Sequence, residues 1–358
     1  MLVPEGFVPM PVTLRQVAEE AGVSIKTVSR VVNGQGEISD ATRQRVRSAI
    51  EKLGYRPNRL ARSLITGKTH TVGAVIPSVT SPFYAEFILA AEKVARERNY
   101  NLFLCNSFDD PGLEMNYINL LSERQTDGLL LAGSRLEREQ LEKITAHHNM
   151  AILTPYAIPD ALVFSLDDYA LARLAGEHLL SLGHRRIGYM DASWPRGARP
   201  RYEGLVSALA DAGQPTQAIM AAEIYPPDRK NLREAARAAT LKLLEKGTDF
   251  TALVCYADEL ALGVLQACAE AGVEVPQDLS LIGFDDMPES RQSRPPLTTV
   301  HFDCYALGAA MMTKLLNLIE GDLQEHGPEL FPGTLVVRES TAAPRKDRLL
   351  IYRAPDTC

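Results

Sequence analysis

The sequence predicts a chain of two unlike parts: a small all-α unit at the N-terminus and, from Thr71 onward, an α/β body of parallel sheets. Three observations carry this. Between Thr13 and Gly54, apolar residues recur at helical spacing in three segments separated by turn residues. From Thr71, short apolar runs alternate with amphipathic stretches in both halves of the body, the rhythm of βαβ units. Charge divides along the same line. The formal net charge is −7, yet Val12 to Lys68 holds 11 Lys and Arg against 5 Asp and Glu, a net of +6 that leaves −13 for the rest.

Each element of the small unit follows from local chemistry. In TLRQVAEEAGVSIKTVSRVV, Thr13 is an N-cap, Leu14, Val17, Ala18 and Ala21 form one apolar stripe, and Gly22 ends the first helix. Ser24 caps a second helix whose inner face is Val28, Val31 and Val32. That leaves Ile25, Lys26, Thr27, Ser29 and Arg30 outward. A third helix runs from the Ser39-Asp40 cap through Ile50 and Leu53 to Gly54. Two helices joined by a tight Gly-containing turn, the second led by polar groups, form a helix-turn-helix that fits a DNA major groove. Small Ser and Thr residues approach phosphates closely, while Lys26 and Arg30 reach acceptors on guanine or the backbone. After Pro57, the segment Asn58 to Leu64 is helix-prone but too short to be stable alone.

Composition excludes several classes. With 46% hydrophobic residues, 24 Gly and 22 Pro in 358 residues, the chain is expected to be globular, of two or three domains. No apolar run is long enough for a membrane span and MLVPEGFVPMPV does not read as a secretory signal, so a cytoplasmic protein without a membrane partner is expected. The five cysteines, Cys105, Cys255, Cys268, Cys304 and Cys358, show no CxxC spacing and are expected to be reduced, most of them buried. The chain carries no GxSxG elbow, no GxxxxGK[ST] phosphate loop and no HExxH, so neither catalysis nor a metal or other cofactor is expected. His147 and His148 are expected at a helix C-terminus, where imidazole favours the dipole.

In the body, the strands TVGAVIP, YNLFLCNS and GLLLAG precede helices starting near Pro82, at 114–124 and at 136–147. The second half repeats the pattern: RRIGYMDA before 201–212, TALVCYA before 258–271, and LSLIGFDD before a helix at about 303–320. Ligands of such sheets bind beyond the strands' carboxyl ends. Those ends are 77–83, 106–109 and 133–134 in the first half, and 191–194, 256–258 and 284–286 in the second.

The stretches VTLRQVAEEAGVSIKTVSRVVNG, ISDATRQRVRSAIEKLGYRPNRLARSLITGKT and TVGAVIPSVTSPFYAEF closely resemble the lactose/galactose-repressor family of bacterial transcription regulators. The likeness continues through DGLLLAGS, GHRRIGYM, VPQDLSLIGFDD and PPLTTV. It implies a helix-turn-helix headpiece at 11–57 and a hinge helix with linker at 58–70, followed by a core like the periplasmic sugar-binding proteins of type I. The core's subdomains would span 71–167 with 297–328, and 168–296 with 329–345, with crossings near Asp167, Pro296 and Glu329 and a tail at 346–358.

The resemblance also implies residue roles. DNA contacts fall on Thr13, Leu14, Ser24, Ile25, Lys26, Thr27, Ser29, Arg30, Asn33, Thr42, Tyr55, Asn58, Ala61, Arg62 and Leu64. Among them Ile25 and Lys26 match the base-reading pair, Leu64 the leucine wedged into the minor groove, and Ala61 the contact between paired hinge helices. Effector contacts fall on Ser81, Phe83, Asn106, Ser134, Asp167, Trp194, Arg201, Tyr256 and Asp285. Arg201 and Asp285 are expected to oppose each other across the cleft, and Phe83 and Trp194 to offer rings for stacking. Two departures stand out: Asp168 follows Asp167 where many relatives have Asn, and Ala257 replaces an Asn that usually contacts sugar. A solvated loop is expected at Asp109 and Asp110.

The expected function is therefore that of a homodimeric regulator, a repressor, binding double-stranded DNA at a palindromic operator. Its affinity would be set by a small-molecule effector, a carbohydrate first and a nucleobase, nucleoside or protein partner second. A solute-binding protein of periplasmic type is the alternative, opposed by the basic helix-turn-helix.

Overall fold

The computed structural model describes residues 12–32, 36–55, 67–192, 199–213, 219–223, 231–322 and 328–345. The chain forms two compact units, divided between Thr69 and His70.

The first unit is three helices, α1 (Leu14–Ala21), α2 (Ile25–Val32) and α3 (Asp40–Leu53). Thr13 caps α1 in a capping box: its hydroxyl accepts the Gln16 N–H, and the Gln16 side chain accepts the Thr13 N–H at 2.8 Å. Gly22 then turns the chain at φ +63°, where a side chain would be strained, so only three residues separate the end of α1 from the start of α2. Val17, Ala18, Ala21, Val28, Val46 and Ala49 fill the space between the helices. So small a core stabilises little per residue, and the caps carry a correspondingly larger share.

The second unit holds two six-stranded sheets. β1 (Thr71–Ile76), β2 (Asn101–Asn106), β3 (Gly128–Ala132), β4 (Met150–Leu153) and β5 (Leu162–Leu166) join β11 (Glu329–Phe331) in the order β11-β5-β4-β3-β1-β2. β6 (Ile187–Asp191), β7 (Ile219–Glu223), β8 (Ala252–Cys255), β9 (Ser280–Phe284) and β10 (Thr298–Phe302) join β12 (Gly333–Val336) in the order β12-β10-β9-β8-β6-β7. All pairings are parallel except that of β12 with β10. Helices cover the sheets: α4 (Pro82–Glu97), α5 (Pro111–Glu123), α6 (Arg138–Thr145) and α12 (Cys304–Glu320) with the first, and α7 (Asp168–Ser181), α8 (Pro200–Asp211), α9 (Leu232–Lys246), α10 (Asp258–Ala271) and α11 (Pro288–Gln292) with the second. Each sheet reverses its strand order once, at β1/β3 and at β6/β8, which opens a crevice at the strands' carboxyl ends.

Several boundaries differ from expectation. The crossing expected near Pro296 falls at Asp303, because Thr298–Phe302 pairs with β9 and stays in the second sheet. The one expected near Glu329 falls at Pro332, because Glu329–Phe331 pairs with β5 in the first. Helix α5 starts at Pro111, not Glu114: Asp110 accepts the N–H groups of Gly112 and Leu113 at 2.7 and 3.0 Å, and proline fits the first helical position. Helix α6 ends at Thr145, before the two histidines. His148 lies half-buried against the Ser122 hydroxyl at 3.1 Å, and burial holds its pKa below the ordinary 6.5. The run NLFLC forms an edge strand, leaving Phe103 and Leu104 exposed and Cys105 only half-buried. Cys255, Cys268 and Cys304 are buried free thiols; Cys358 lies outside the described residues.

A strap of residues 338–345 closes the second sheet. Ser340 accepts the Leu281 N–H on its carbonyl and the Thr298 N–H on its hydroxyl, each at 2.8 Å. Beneath it the buried His184 ring bridges the Thr251 hydroxyl at 2.8 Å and the Ala342 carbonyl at 2.8 Å. Burial pushes the His184 pKa below the ordinary 6.5. Above that value the ring is neutral folded or unfolded; as pH falls through it, the unfolded chain takes the proton first and the folded state loses ground. The wild-type chain is therefore expected to lose stability relative to His184→Gln as pH is lowered below 6.5, measured by denaturant unfolding at a series of pH values. In the first subdomain, a Cβ at Gly308 would stand 2.1 Å from the Phe87 carbonyl oxygen, where α12 crosses α4. Gly308→Ala is expected to destabilise the body by about 1–3 kcal/mol in the same measurement.

Candidate nucleic-acid interface and ligand cleft

The outward face of α2 is built from its cap. The Ser24 hydroxyl accepts the Thr27 N–H at 3.1 Å and shares a hydrogen bond with the Thr27 hydroxyl at 2.9 Å, which opens the helix in the middle of the polar run. Val28 turns inward and is fully buried, so helical spacing sends Ile25, Lys26 and Arg30 to the surface with Thr27 and Ser29 at their flank. Ile25 is 45% exposed, an apolar side chain left in water beside two cations. Thr42 sits in the first turn of α3, its hydroxyl accepting from Ser39 at 2.9 Å.

Two expected DNA contacts do not have the exposure expected of them. Tyr55 is only 9% exposed and packs into the three-helix core, because Gly54 turns the chain back over α3 at φ +64°. Leu14 is half-buried against the same core, which leaves its backbone N–H, in the first turn of α1, as its outward group. Asn33, Asn58, Ala61, Arg62 and Leu64, and with them the hinge segment, lie outside the described residues.

In the body, the crevices of the two sheets face one cleft of ≈ 820 Å³. Ser81, Phe83, Asn106, Ser134, Asp167, Arg201, Tyr256 and Asp285 all line it; Trp194 lies outside the described residues. The first subdomain supplies a wall from the ends of β1, β2 and β3. Asn106 Oδ1 accepts the Val79 N–H at 2.7 Å, while its Nδ2 is buried with no protein acceptor. Phe83 meets Tyr84 edge to face at 5.0 Å and packs against the cores of both subdomains. The solvated loop expected at Asp109 is instead part of this wall. Asp109 is ion-paired with Arg135 at 2.5 Å, and the two side chains are 17% and 13% exposed. Behind them the buried Glu114 accepts the Arg135 N–H at 2.8 Å, and burial raises its pKa.

The second wall is organised by Arg201. Pro200 starts α8 and places Arg201 on its inner side, 5% exposed. Its Nε donates to Asp168 at 2.8 Å, its Nη1 donates to the Tyr256 carbonyl, and its guanidinium lies 4.5 Å from the Tyr256 ring centroid and 4.4 Å from that of Phe284. Burial works against this charge, but Asp168, Tyr256 and Asp285 outweigh it and hold the pKa above that of a free arginine. Arg201 and Asp285 do not oppose each other across the cleft. Both belong to the second subdomain, since β9 and α8 pack on the same sheet, and they stand side by side on one wall.

Asp285 leaves β9 at φ +109° and Asp286 follows at φ +53°, a sharp bend held by ion pairs of Asp286 with Arg338 and with Arg291 at 2.8 Å. Burial pushes the Asp285 carboxyl well above the ordinary carboxylate range, with Arg201 opposing. Asp167 caps α7, accepting the Ala170 N–H at 3.1 Å. Ala257 lines the cleft without a polar side chain, and the neighbouring Asp258 is withdrawn into the core, accepting from Thr299, Ser290 and the Met287 N–H at 2.6, 2.7 and 2.9 Å.

Asp168 and Arg135 are among the cleft residues that the sequence did not point to as effector contacts. Asp168 was visible as an unusual second carboxylate; its partner lies 33 residues away and only the packing of α7 on α8 joins them. Among the described residues no cluster of His, Cys, Asp and Glu could hold a metal ion, and no helix is long and apolar enough to cross a membrane. Removing the partner of a buried cation leaves its charge uncompensated. Asp168→Ala is therefore expected to destabilise the body by about 3 kcal/mol, and Asp168→Asn, which keeps an acceptor, by less; denaturant unfolding distinguishes the two.

Comparison with known proteins places both units. Residues 13–58 match the family model described as bacterial regulatory proteins, lacI family, and residues 177–341 match a periplasmic binding protein-like domain. The HTH-type transcriptional repressor PurR of Actinobacillus pleuropneumoniae serotype 3 is 33% identical over 333 residues, covering 92% of this chain and 98% of that protein. Among solved structures, the lac repressor dimer bound to operator and the anti-inducer ONPF superposes with a TM-score of 0.80 at 28% identity, covering 93% of this chain and 100% of that one. The transcriptional regulator CelR in complex with cellobiose superposes at 0.67 with 29% identity, covering 92% and 99%. With a third of its positions shared over nearly the full length of a curated relative, the chain belongs to the lacI family of bacterial regulatory proteins: it is a DNA-binding transcriptional repressor and not an enzyme.

Proposed function

We propose that this repressor binds a palindromic operator as a homodimer and that a small-molecule effector, bound in the cleft of the body, sets its operator affinity. One observation carries the effector reading: eight residues from separate strand ends and helix starts line a single cleft of ≈ 820 Å³. Aromatic and hydrogen-bonding groups alternate around it, the composition of a small-molecule site. In this reading Ser24, Ile25, Lys26, Thr27, Ser29 and Arg30 meet the major groove, with Thr13, Leu14, Thr42 and Asn33 at the flanking phosphates. The hinge residues Asn58, Ala61, Arg62 and Leu64 pair with those of the second protomer in the minor groove. Tyr55 contributes through the core it packs. A change in the angle between the two sheets would alter the spacing of the two headpieces and so form or melt the hinge. Linkage then requires DNA to change effector affinity by the same factor.

Carbohydrates are the first effector class: CelR was solved with cellobiose, and the neighbouring Arg201 and Asp285 suit hydroxyl-rich rings. Ala257 weakens that preference by removing an amide, which keeps nucleobases and nucleosides as the second class. The working compartment is the cytoplasm, where operator DNA is found.

Two measurements test this. An operator selected from random duplexes should bind with an affinity that falls steeply with salt, and Lys26→Ala should lower the magnitude of the logarithmic salt slope by about 1 if Lys26 meets a phosphate. A salt-independent affinity would remove the phosphate contacts. In thermal unfolding of the full chain, an effector present at a hundredfold excess over its dissociation constant should add about 2.7 kcal/mol of stability, and Arg201→Met should abolish that gain.

A further inference from the structure

We infer that the cleft selects an effector without an anionic group, a neutral or amine-bearing molecule rich in hydrogen-bond donors, because acidic side chains outnumber guanidinium groups on its described walls by six to three. The inference rests on the effector reading above and names the chemistry that reading leaves open. The carboxylates are Asp109, Asp167, Asp168, Asp285, Glu259 and Glu289; the cations are Arg135, Arg201 and Arg233, with no lysine or histidine among the described lining residues.

Placement sharpens the imbalance. The enclosed guanidinium of each wall is already bound to a carboxylate, Arg135 to Asp109 at 2.5 Å and Arg201 to Asp168 at 2.8 Å. A phosphate or carboxylate entering the cleft would have to take one of these cations, leaving its partner carboxylate charged in a poorly hydrated wall. Beside Arg201, burial first and then the nearby Asp258, Asp168 and Glu259 carboxylates drive the Asp285 carboxyl upward against the pull of the guanidinium, so negative charge is resisted at this point of the wall. An incoming hydroxyl or amine meets the opposite situation. The carboxylate oxygens accept its protons, an ammonium group is attracted by their excess charge, and Asn106 Nδ2, buried and without a protein acceptor, supplies a donor on the facing wall for a ring or hydroxyl oxygen.

The test uses the full chain in thermal unfolding with matched pairs: glucose and glucose 6-phosphate, galactose and galacturonate, glucose and glucosamine, adenosine and adenosine monophosphate. The neutral or amine-bearing member of at least one pair is expected to raise the midpoint, with its phosphorylated or carboxylated counterpart binding about tenfold more weakly or worse, the effect of one repelled charge at a partly screened distance. That gap should narrow in about 0.5 M salt and in Glu259→Gln, since both weaken the field. Tighter binding of an anionic member overturns the inference while leaving the effector reading intact. A gap unchanged by salt and by Glu259→Gln assigns the rejection to shape and overturns its electrostatic cause. No shift with any member of any pair overturns the effector reading itself, and the inference falls with it.

Discussion

A full positive charge inside a protein wall has to be met on every side, and the Arg201 guanidinium is the point around which the second subdomain is arranged. Asp168 from the start of α7, the Tyr256 carbonyl from the end of β8, and the rings of Tyr256 and Phe284 each come from a different element. None of these groups is near Arg201 in the chain. Holding the charge therefore sets the approach of α8 to α7 and to the ends of β8 and β9, and with it the position of Asp285. Closeness of backbone supports the arrangement: a Cβ at Gly204 would stand 2.1 Å from the Tyr169 carbonyl, so α8 can come this near to α7 only with glycine there.

The facing wall meets its charges differently. Arg135 and Asp109 satisfy one another at the rim, and Glu114 lies beneath them, bonded to backbone. Its arginine is more open than Arg201, 13% against 6% exposed, and the pair is held by loops that follow β2 and β3 instead of by helix packing. The two walls thus combine a rigid side, built on stacked helices, with a side whose geometry depends on loop ends. Such an asymmetry suits a cleft that has to respond to its contents, because a response needs one element that stays and another whose equilibrium can be biased.

Much of this was legible in the sequence, because it depends on local or periodic properties. The three helices of the first unit follow from caps and turn residues within four positions of each other, as Thr13 with Gln16 and Ser24 with Thr27 show. The βαβ rhythm predicted parallel sheets because strands covered on both faces must be apolar throughout, as Thr71–Ile76 and Gly128–Ala132 nearly are. The rule that ligands sit at the strands' carboxyl ends covers six of the cleft residues, Ser81, Phe83, Asn106, Ser134, Tyr256 and Asp285, and the family resemblance added Asp167 and Arg201. Where the resemblance misplaced a boundary, the deciding contact was distant. Pro296 looked like a crossing, but Thr298–Phe302 is kept in the second sheet by β9 and by a strand more than thirty residues later. The burial of Tyr55 likewise follows from the packing of α3 on α1, which takes its ring into the core.

What the sequence determined alone is the kind of protein: a basic helix-turn-helix ahead of an acidic two-sheet body, since caps, periodicity and charge balance are properties of neighbouring residues. What only the tertiary structure decided is which charges meet. Asp168 pairs with Arg201, Asp109 with Arg135, and Asp285 stands beside Arg201 on one wall, because hydrogen bonds and ion pairs act over a few ångströms of space whatever the separation along the chain.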